Sequence, residues 1–251
     1  MTKSLLLRKA HRYLGLFIGI QFLGWTISGL YFSWNNIDNV HGDHLRKPAR
    51  YLAGGVEVVP PSAAIRNLAA TQAVDSLHSV QLISLLGKPV YQLQYFSGHV
   101  GEGMHLHVHH ALADATTGAL LPALNEAQAV AVARENLVAG AKVASVQYLA
   151  STDPKHEYRE KPLPAWAVSF SEPACTAYVS AELGTLQAVR HDQWRAFDFL
   201  WMFHTMDYAT KDNFNNVLLK IFSLAGLVTV VSGFALFIVS SRTLKRITRW
   251  G

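Results

Sequence analysis

Charge is thin in this chain and cysteine almost missing. Only 16% of its 251 residues are Asp, Glu, Lys or Arg, against 50% hydrophobic residues, so a membrane component has to be tested before any soluble fold. Cys175 stands alone, which excludes both an intrachain disulfide and a thiol redox dyad and leaves any folded domain to its own core. No Gly-x-Gly-x-x-Gly opens a helix, no phosphate loop or His-Glu-x-x-His occurs, and no serine stands in a nucleophile elbow. A flavin or nicotinamide domain, a zinc protease and an elbow hydrolase are therefore not indicated.

What is present begins with two charge-free runs, Tyr13 to Trp34 and Ile221 to Ser241, of 22 and 21 residues. Each is long enough to cross the ~30 Å hydrocarbon core as a helix. No small-x-small cleavage site follows the first, since "LYFSWNNID" is bulky and aromatic, so it reads as a retained anchor rather than a signal peptide. Lys3, Arg8, Lys9 and Arg12 precede the first run, Arg242, Lys245, Arg246 and Arg249 follow the second, and neither tail holds an acid. That bias predicts both termini in the cytoplasm and residues from about 35 to 215 outside. With those eight cations set aside, the remaining Lys and Arg are fewer than the 17 Asp and Glu, so nucleic acid is not an expected partner.

The middle of the chain reads as a repeat. "PPSAAIRNLAA" has a helix start, and strand-like "SVQLISL", "PVYQLQYF" and "MHLHVHHALAD" follow, closed by the turn "DATTG". Residues 125 to 190 repeat the order with "NEAQAVAVARENL", "VASVQYLA", "AWAVSF", "TAYVSA" and the turn "ELGTL", and Gly118 and Gly184 hold equivalent places. The expected plan is a tail (1–12), a first membrane helix (13–34), a polar connector (35–59) and two repeats (60–124 and 125–199). An interfacial segment (200–216), a second membrane helix (217–241) and a closing tail (242–251) complete it.

These residues resemble a known family. The order helix, strand, strand, then Asp114-Ala115-Thr116-Thr117-Gly118-Ala119-Leu120, is similar to the PepSY domain, whose hairpin ends in an Asp-x-x-Thr-Gly-x-Leu type motif. The second copy keeps only Gly184 and Leu186 of it. "RKAHRYLGLFIG" and "SGLYFSW" look like the first helix of PepSY-associated transmembrane proteins, and "FHTMDY" with "VTVVSGFALF" looks like their final helix and its preceding histidine motif. The resemblance implies a bacterial inner-membrane protein with a periplasmic α+β domain of two PepSY-like repeats between two transmembrane helices. It also implies haem b as cofactor, ferric iron or a ferric chelate as substrate, and a ferric reductase that supplies a ferrous iron transporter. With no flavin domain, electrons would come from a membrane quinol or another protein.

Twelve histidines are present, and only His11 falls on the cytoplasmic side. A haem electron-transfer centre takes two axial ligands. His11 and His204 stand near opposite membrane faces and cannot share one haem in a single subunit, and the chain after His204 holds no histidine. Two arrangements stay open: His204 with His41 or His44 of "HGDH", or matching histidines brought together in a homodimer. Gly15 and Gly19 form a small-xxx-small pattern that suits the dimer, although glycine is common in membrane helices. The plain alternative for His204 is an aromatic-belt residue beside Trp201, Phe203 and Tyr208, and for His11 a titratable neighbour of the basic anchors. In "MHLHVHHAL", His105, His107 and His109 share one strand face, and His99 in "SGHVGEG" could join them to hold a borderline transition metal. The plain alternative there is a polar outer face. A rival function is a non-enzymatic PepSY scaffold that binds a partner protein or inhibits a protease, as exposed strands can pair edge to edge.

The topology is directly testable. A cysteine engineered into "SGHVGEG" is expected to react with an impermeant thiol reagent in intact spheroplasts. Labelling only after lysis would overturn both the orientation and an external iron chemistry.

Overall fold

The computed structural model describes residues 3–48, 50–97, 108–138 and 140–240. They form two compact units: a helical one, Met1–Ile37 with Arg195–Gly251, and a sheet unit, Asp38–Trp194, inserted between its halves.

The helical unit contains α1 (Lys3–Trp34), most of α5 (Asp192–Thr205) and α6 (Val217–Ser240). α1 starts ten residues before the first charge-free run, because Leu, Arg, Lys and Ala between Ser4 and Ala10 are good helix formers with no Gly or Pro among them. Its inward residues step by three and four: His11, Leu14, Ile18, Gln21, Trp25, Ser28 and Phe32, with Ile18, Gln21 and Ser28 fully enclosed. That 3.5-residue period lets one straight seam follow neighbouring helices. The other faces of α1 and α6 are apolar and exposed, for example Leu16, Ile20, Phe234 and Phe237. Both helices are long and apolar enough to cross a membrane, and little of either span is buried in the protein, as suits a bilayer around them. α5 was not expected as a helix. Its apolar positions are interrupted by Arg195, Asp198 and two tryptophans, which hides the period in sequence.

The sheet unit opens with α2 (Ile37–His41) and a 3-10 turn (Asp43–Leu45) where an irregular connector was expected. Val40 is buried, and Arg46 bridges to Leu137, so this segment is docked rather than loose. Two copies of one order follow. α3 (Pro61–Thr71) precedes the antiparallel sheet β1 (Ser76–Leu85), β2 (Lys88–Phe96), β3 (Val108–Asp114) and β4 (Leu120–Leu121). α4 (Glu126–Asn136) precedes β5 (Lys142–Leu149), β6 (Ala165–Glu172), β7 (Ala174–Ser180) and β8 (Leu186–His191). Pro61 starts α3 at a position needing no amide proton. Asn125 and Gln128 cap α4 reciprocally.

Side-chain alternation then builds two layers of core from one strand. Tyr91, Leu93 and Tyr95 of β2 pack with Ala64 and Leu68 of α3. Val90, on the opposite face, joins Leu112 in a cluster with Val132, Leu137, Val168 and Val179 of the second copy. β2 is therefore buried on both faces, and the larger core is shared between the copies. A third cluster lies under the long β5–β6 connection, where the fully buried Tyr158 stacks on Tyr178 at 4.7 Å.

The Asp-Ala-Thr-Thr-Gly motif serves as a turn. The Asp114 carboxylate accepts from the hydroxyl and amide of Thr116 (2.6 and 2.7 Å) and from the Thr117 amide (3.2 Å). The Thr116 bonds in particular hold its carboxyl below the ordinary range. In the second copy Ser180 stands in that place and accepts from Leu183 N at 3.2 Å. Gly118 and Gly184 both take left-handed backbone and return amides to Asp114 O and Ser180 O. A Cβ on Gly184 would also come within 3.2 Å of Leu85 and Leu112.

Gly87 has a similar positive φ with open space around it, so two substitutions separate backbone strain from packing. Gly87→Ala is expected to cost about 1 kcal/mol and Gly184→Ala about 1–3 kcal/mol more, in unfolding of the full chain in detergent. Equal losses would refute the close packing at Gly184.

Candidate functional site

The C-terminal half of α1 receives α5 through polar contacts at Ser28 and Trp25. His204 Nδ1 lies 2.7 Å from Ser28 Oγ. That hydroxyl directs its own proton to Gly24 O (2.9 Å) and Trp25 O (3.0 Å) of its helix, so the imidazole supplies the proton of the shared bond. Burial holds the His204 ring below the usual histidine range. In this tautomer Nε2 carries a free lone pair, and it has no hydrogen-bond partner among the described residues.

Aromatic side chains fix the ring. Phe32 meets it edge-on at 5.6 Å and Trp25 at 6.3 Å, while Trp25 Nε1 donates to the His204 carbonyl at 2.8 Å. That carbonyl is one of those left open at the end of α5, so Trp25 satisfies it. Only a glycine at position 24 allows the approach: a Cβ there would fall 2.2 Å from Phe203 Cε1.

The same device recurs toward the other end of α1 with roles exchanged. His11 Nδ1 lies 2.7 Å from Ser232 Oγ of α6, and Ser232 donates to Thr229 O at 2.8 Å. Again Nε2 has no hydrogen-bond partner among the described residues. His11 and Ser28 are 17 residues apart on one continuous helix, a rise of about 25 Å. Two imidazoles are thus presented at two levels along α1. Between them Gln21 is buried, with Nε2 lacking a hydrogen-bond partner among the described residues.

The connector after α5 is a rigid buckle. The Asp207 carboxylate accepts from Ala209 N (3.1 Å), Thr210 N (3.2 Å), Asn213 N (2.9 Å) and the Thr210 hydroxyl. Lys211 pairs with Asp198, and Trp201 Nε1 donates to Asp212 at 3.1 Å. Asn216 caps α6 at Leu219 N (2.8 Å) and donates back to Thr205 O (2.9 Å). The polar "DYATKDNFNN" thereby fixes the end of α5, and His204 with it.

The remaining candidates lie in the sheet unit. His44 meets His191 edge-on at 5.3 Å, and His191 Nε2 lies 2.9 Å from the Asn39 carbonyl. His41 ends α2, exposed. His109 stacks on Tyr95 at 5.4 Å, on the β2 face that α3 covers rather than on a purely polar one. Its neighbour His110 projects to the other face with Nδ1 enclosed and unbonded. His99, His105 and His107 lie outside the described residues. Among the described residues no three His, Cys, Asp or Glu side chains are grouped to hold a metal ion. Ser28, Ser232 and Gln21 were not singled out in the sequence. For α1 the signal was that His11, Gln21 and Ser28 fall on one seam that steps by three and four, which marks its inner face but not its partners.

The chain matches no family model, no curated protein and no solved structure.

Asp207 makes the buckle sensitive to acid. Burial opposes its charged form, but the bonds from Thr210, Asn213 and Ala209 outweigh that and hold the carboxyl at about 2. An unfolded Asp titrates near about 4, so this contribution to stability is complete above about pH 4 and is lost as pH falls toward 2. The near-ultraviolet dichroism of Trp201 should fade over that window, and Asp207→Asn should blunt the change. Superimposable acid profiles would show that another group governs it.

Proposed function

We propose that this chain is a PepSY-associated, haem-binding membrane protein that reduces ferric iron or a ferric chelate, on the outer side of a bacterial inner membrane, to supply a ferrous iron transporter. The observation that carries this reading is the repeated histidine–serine pair, which leaves Nε2 of His204 and of His11 available as ligands. A metal-ligating histidine characteristically donates its other ring proton to a fixed acceptor, and that bond sets its tautomer and orientation. Both pairs have this form.

The surroundings fit haem. Trp25 and Phe32 supply apolar walls, and a Cβ on Gly29, next to Ser28, or on Gly15 and Gly19 would meet nothing within 4 Å, so backbone on α1 stays open to close approach. The helical unit presents one free imidazole at each level, so a second copy of the chain would complete each pair as a homodimer. When bound, haem supplies one-electron transfer through an iron whose potential follows its axial ligands and their hydrogen bonds. The chain's own part is to orient each imidazole through its Nδ1 bond and to pack it among the helices. Electrons would enter from a quinol or another membrane donor. Ferrous iron holds hard oxygen ligands less tightly than ferric iron, so reduction would release it from a chelate.

His204→Ala removes a ligand that Phe203 and Thr205 cannot replace. Haem content should fall or the iron turn high-spin, with ferric reduction lost in either case. Ser28→Ala should keep the low-spin spectrum and raise the midpoint potential, because an imidazole that no longer donates from Nδ1 pushes less electron density onto iron. A His204→Ala protein with normal haem stoichiometry and spectrum would remove this residue from the mechanism. A wild-type preparation that stays colourless after growth with adequate haem would favour a partner-binding scaffold instead.

A further inference from the structure

We infer that the sheet unit carries a binding site for an amphipathic organic anion, an acid with an aromatic or branched apolar body. The site is a cleft of about 540 Å³ between the two copies, formed by the chain after the 3-10 turn, the β1–β2 hairpin, α4 and the β7–β8 turn. That is the size of a small-molecule site. The inference does not rest on the redox reading, since every lining residue belongs to Asp38–Trp194.

Charge in the cleft is unbalanced. Arg46, Lys47 and Arg50 line it with a single carboxylate, Glu135, which pairs with Arg50 at 2.8 Å. Lys47 Nζ reaches only the Arg134 carbonyl at 3.3 Å. Arg46 Nε is enclosed without a hydrogen-bond partner among the described residues, and the Asp43 carboxylate stands off at 3.7 Å, beyond a hydrogen bond. The Arg46 side chain as a whole is 32% exposed, so a ligand in the cleft would meet its open part and supply an acceptor for a cation that Asp43 answers only at a distance. These cations are held in place: Lys47 N donates to Asn136 O at 2.8 Å and Val138 N to Leu45 O at 3.0 Å, which straps their segment to the end of α4.

Beside the polar Ser84, Asn136 and Thr185, the cleft has an apolar side. Leu82 and Leu86 are 42% and 37% exposed and Tyr51 is 90% exposed, beside the partly buried Ile83 and Leu85. A metal cation would be repelled, an inorganic anion would leave the leucines wet, and a neutral apolar ligand would bury Arg46 without an acceptor. An oxyanion on an apolar frame satisfies both halves, with the guanidinium groups suited to a planar carboxylate.

The test uses the full chain in neutral detergent, titrated calorimetrically with 2-naphthoate and, separately, with neutral 2-naphthamide. Saturable binding of the acid is expected, with the amide about tenfold weaker or more. Arg46→Gln should weaken the acid by a similar factor and erase the preference. Arg50→Gln, at a largely exposed position that folding does not depend on, should weaken it too and leave Glu135 repelling the ligand. No saturable binding of the acid up to about 1 mM, equal binding of acid and amide, or unchanged affinity in both folded variants would overturn the site.

Discussion

A polar atom on a helix set in apolar surroundings has to find its partner inside the protein, because the medium beside it offers none. The helical unit is organised around that constraint. α1 carries three polar side chains on its inner seam, His11, Gln21 and Ser28, and two of them are answered by the neighbouring helices, Ser232 on α6 and His204 on α5. Each answer uses a serine whose proton is already committed to its own helix, so each leaves an imidazole with one nitrogen spent and one open. Structural satisfaction and chemical availability arise from the same bond. The packing around it follows: a glycine where α5 crosses, a tryptophan on the last carbonyl of α5, and a capped, carboxylate-laced connector that brings the chain back into α6.

The sheet unit obeys a different rule. Each helix-and-sheet copy is too small to bury its own strands on both sides, so the first sheet offers Val90 and Leu112 to the second copy's core. Sharing of this kind explains the turns as well. Asp114 and Ser180 are different residues with one task, to accept the amides that let the chain reverse through Gly118 and Gly184. The motif that stands out in sequence is therefore a folding device, and the cleft beside Gly184 is a by-product of how closely the two copies approach.

Much of this was legible in the sequence. Charge-free runs located both long apolar helices, alternation located β1 to β3 and β5 to β7 but not the short β4 or β8, and the glycine spacing announced two copies. The expected plan was too plain where burial is tertiary. The connector after Trp34 shows no period, yet Val40 is buried and its neighbours Asn39 and Gly42 meet His191 and Val189 of β8, which no local pattern records. α5 was obscured by charges that pair with a later segment, Asp198 with Lys211 above all. For the candidate site, the sequence singled out His204 and His11 by type and position. Their serines were invisible, since a hydroxyl in an apolar helix commonly bonds its own backbone, and only the fold shows which of them also takes a second bond. The histidine strand is a case where alternation assigned the faces but not their neighbours: His109 is exposed, yet it stacks on Tyr95, whose face α3 covers.

The bond from His191 to Asn39 has a bearing on how the chain assembles. It ties together residues 152 positions apart, at the very start and end of the inserted unit. An unstructured chain joining Ser28 to His204 would be a loop of 176 residues, whose closure entropy amounts to about 4–5 kcal/mol by logarithmic scaling. Once the insertion has folded with its ends clasped, the free chain between those two residues shrinks to roughly two dozen positions and the closure cost drops by about 2 kcal/mol. The sheet unit thus acts as a splint for the helices on either side of it, and the contact between α1 and α5 becomes a late and local event rather than an early search across the whole chain.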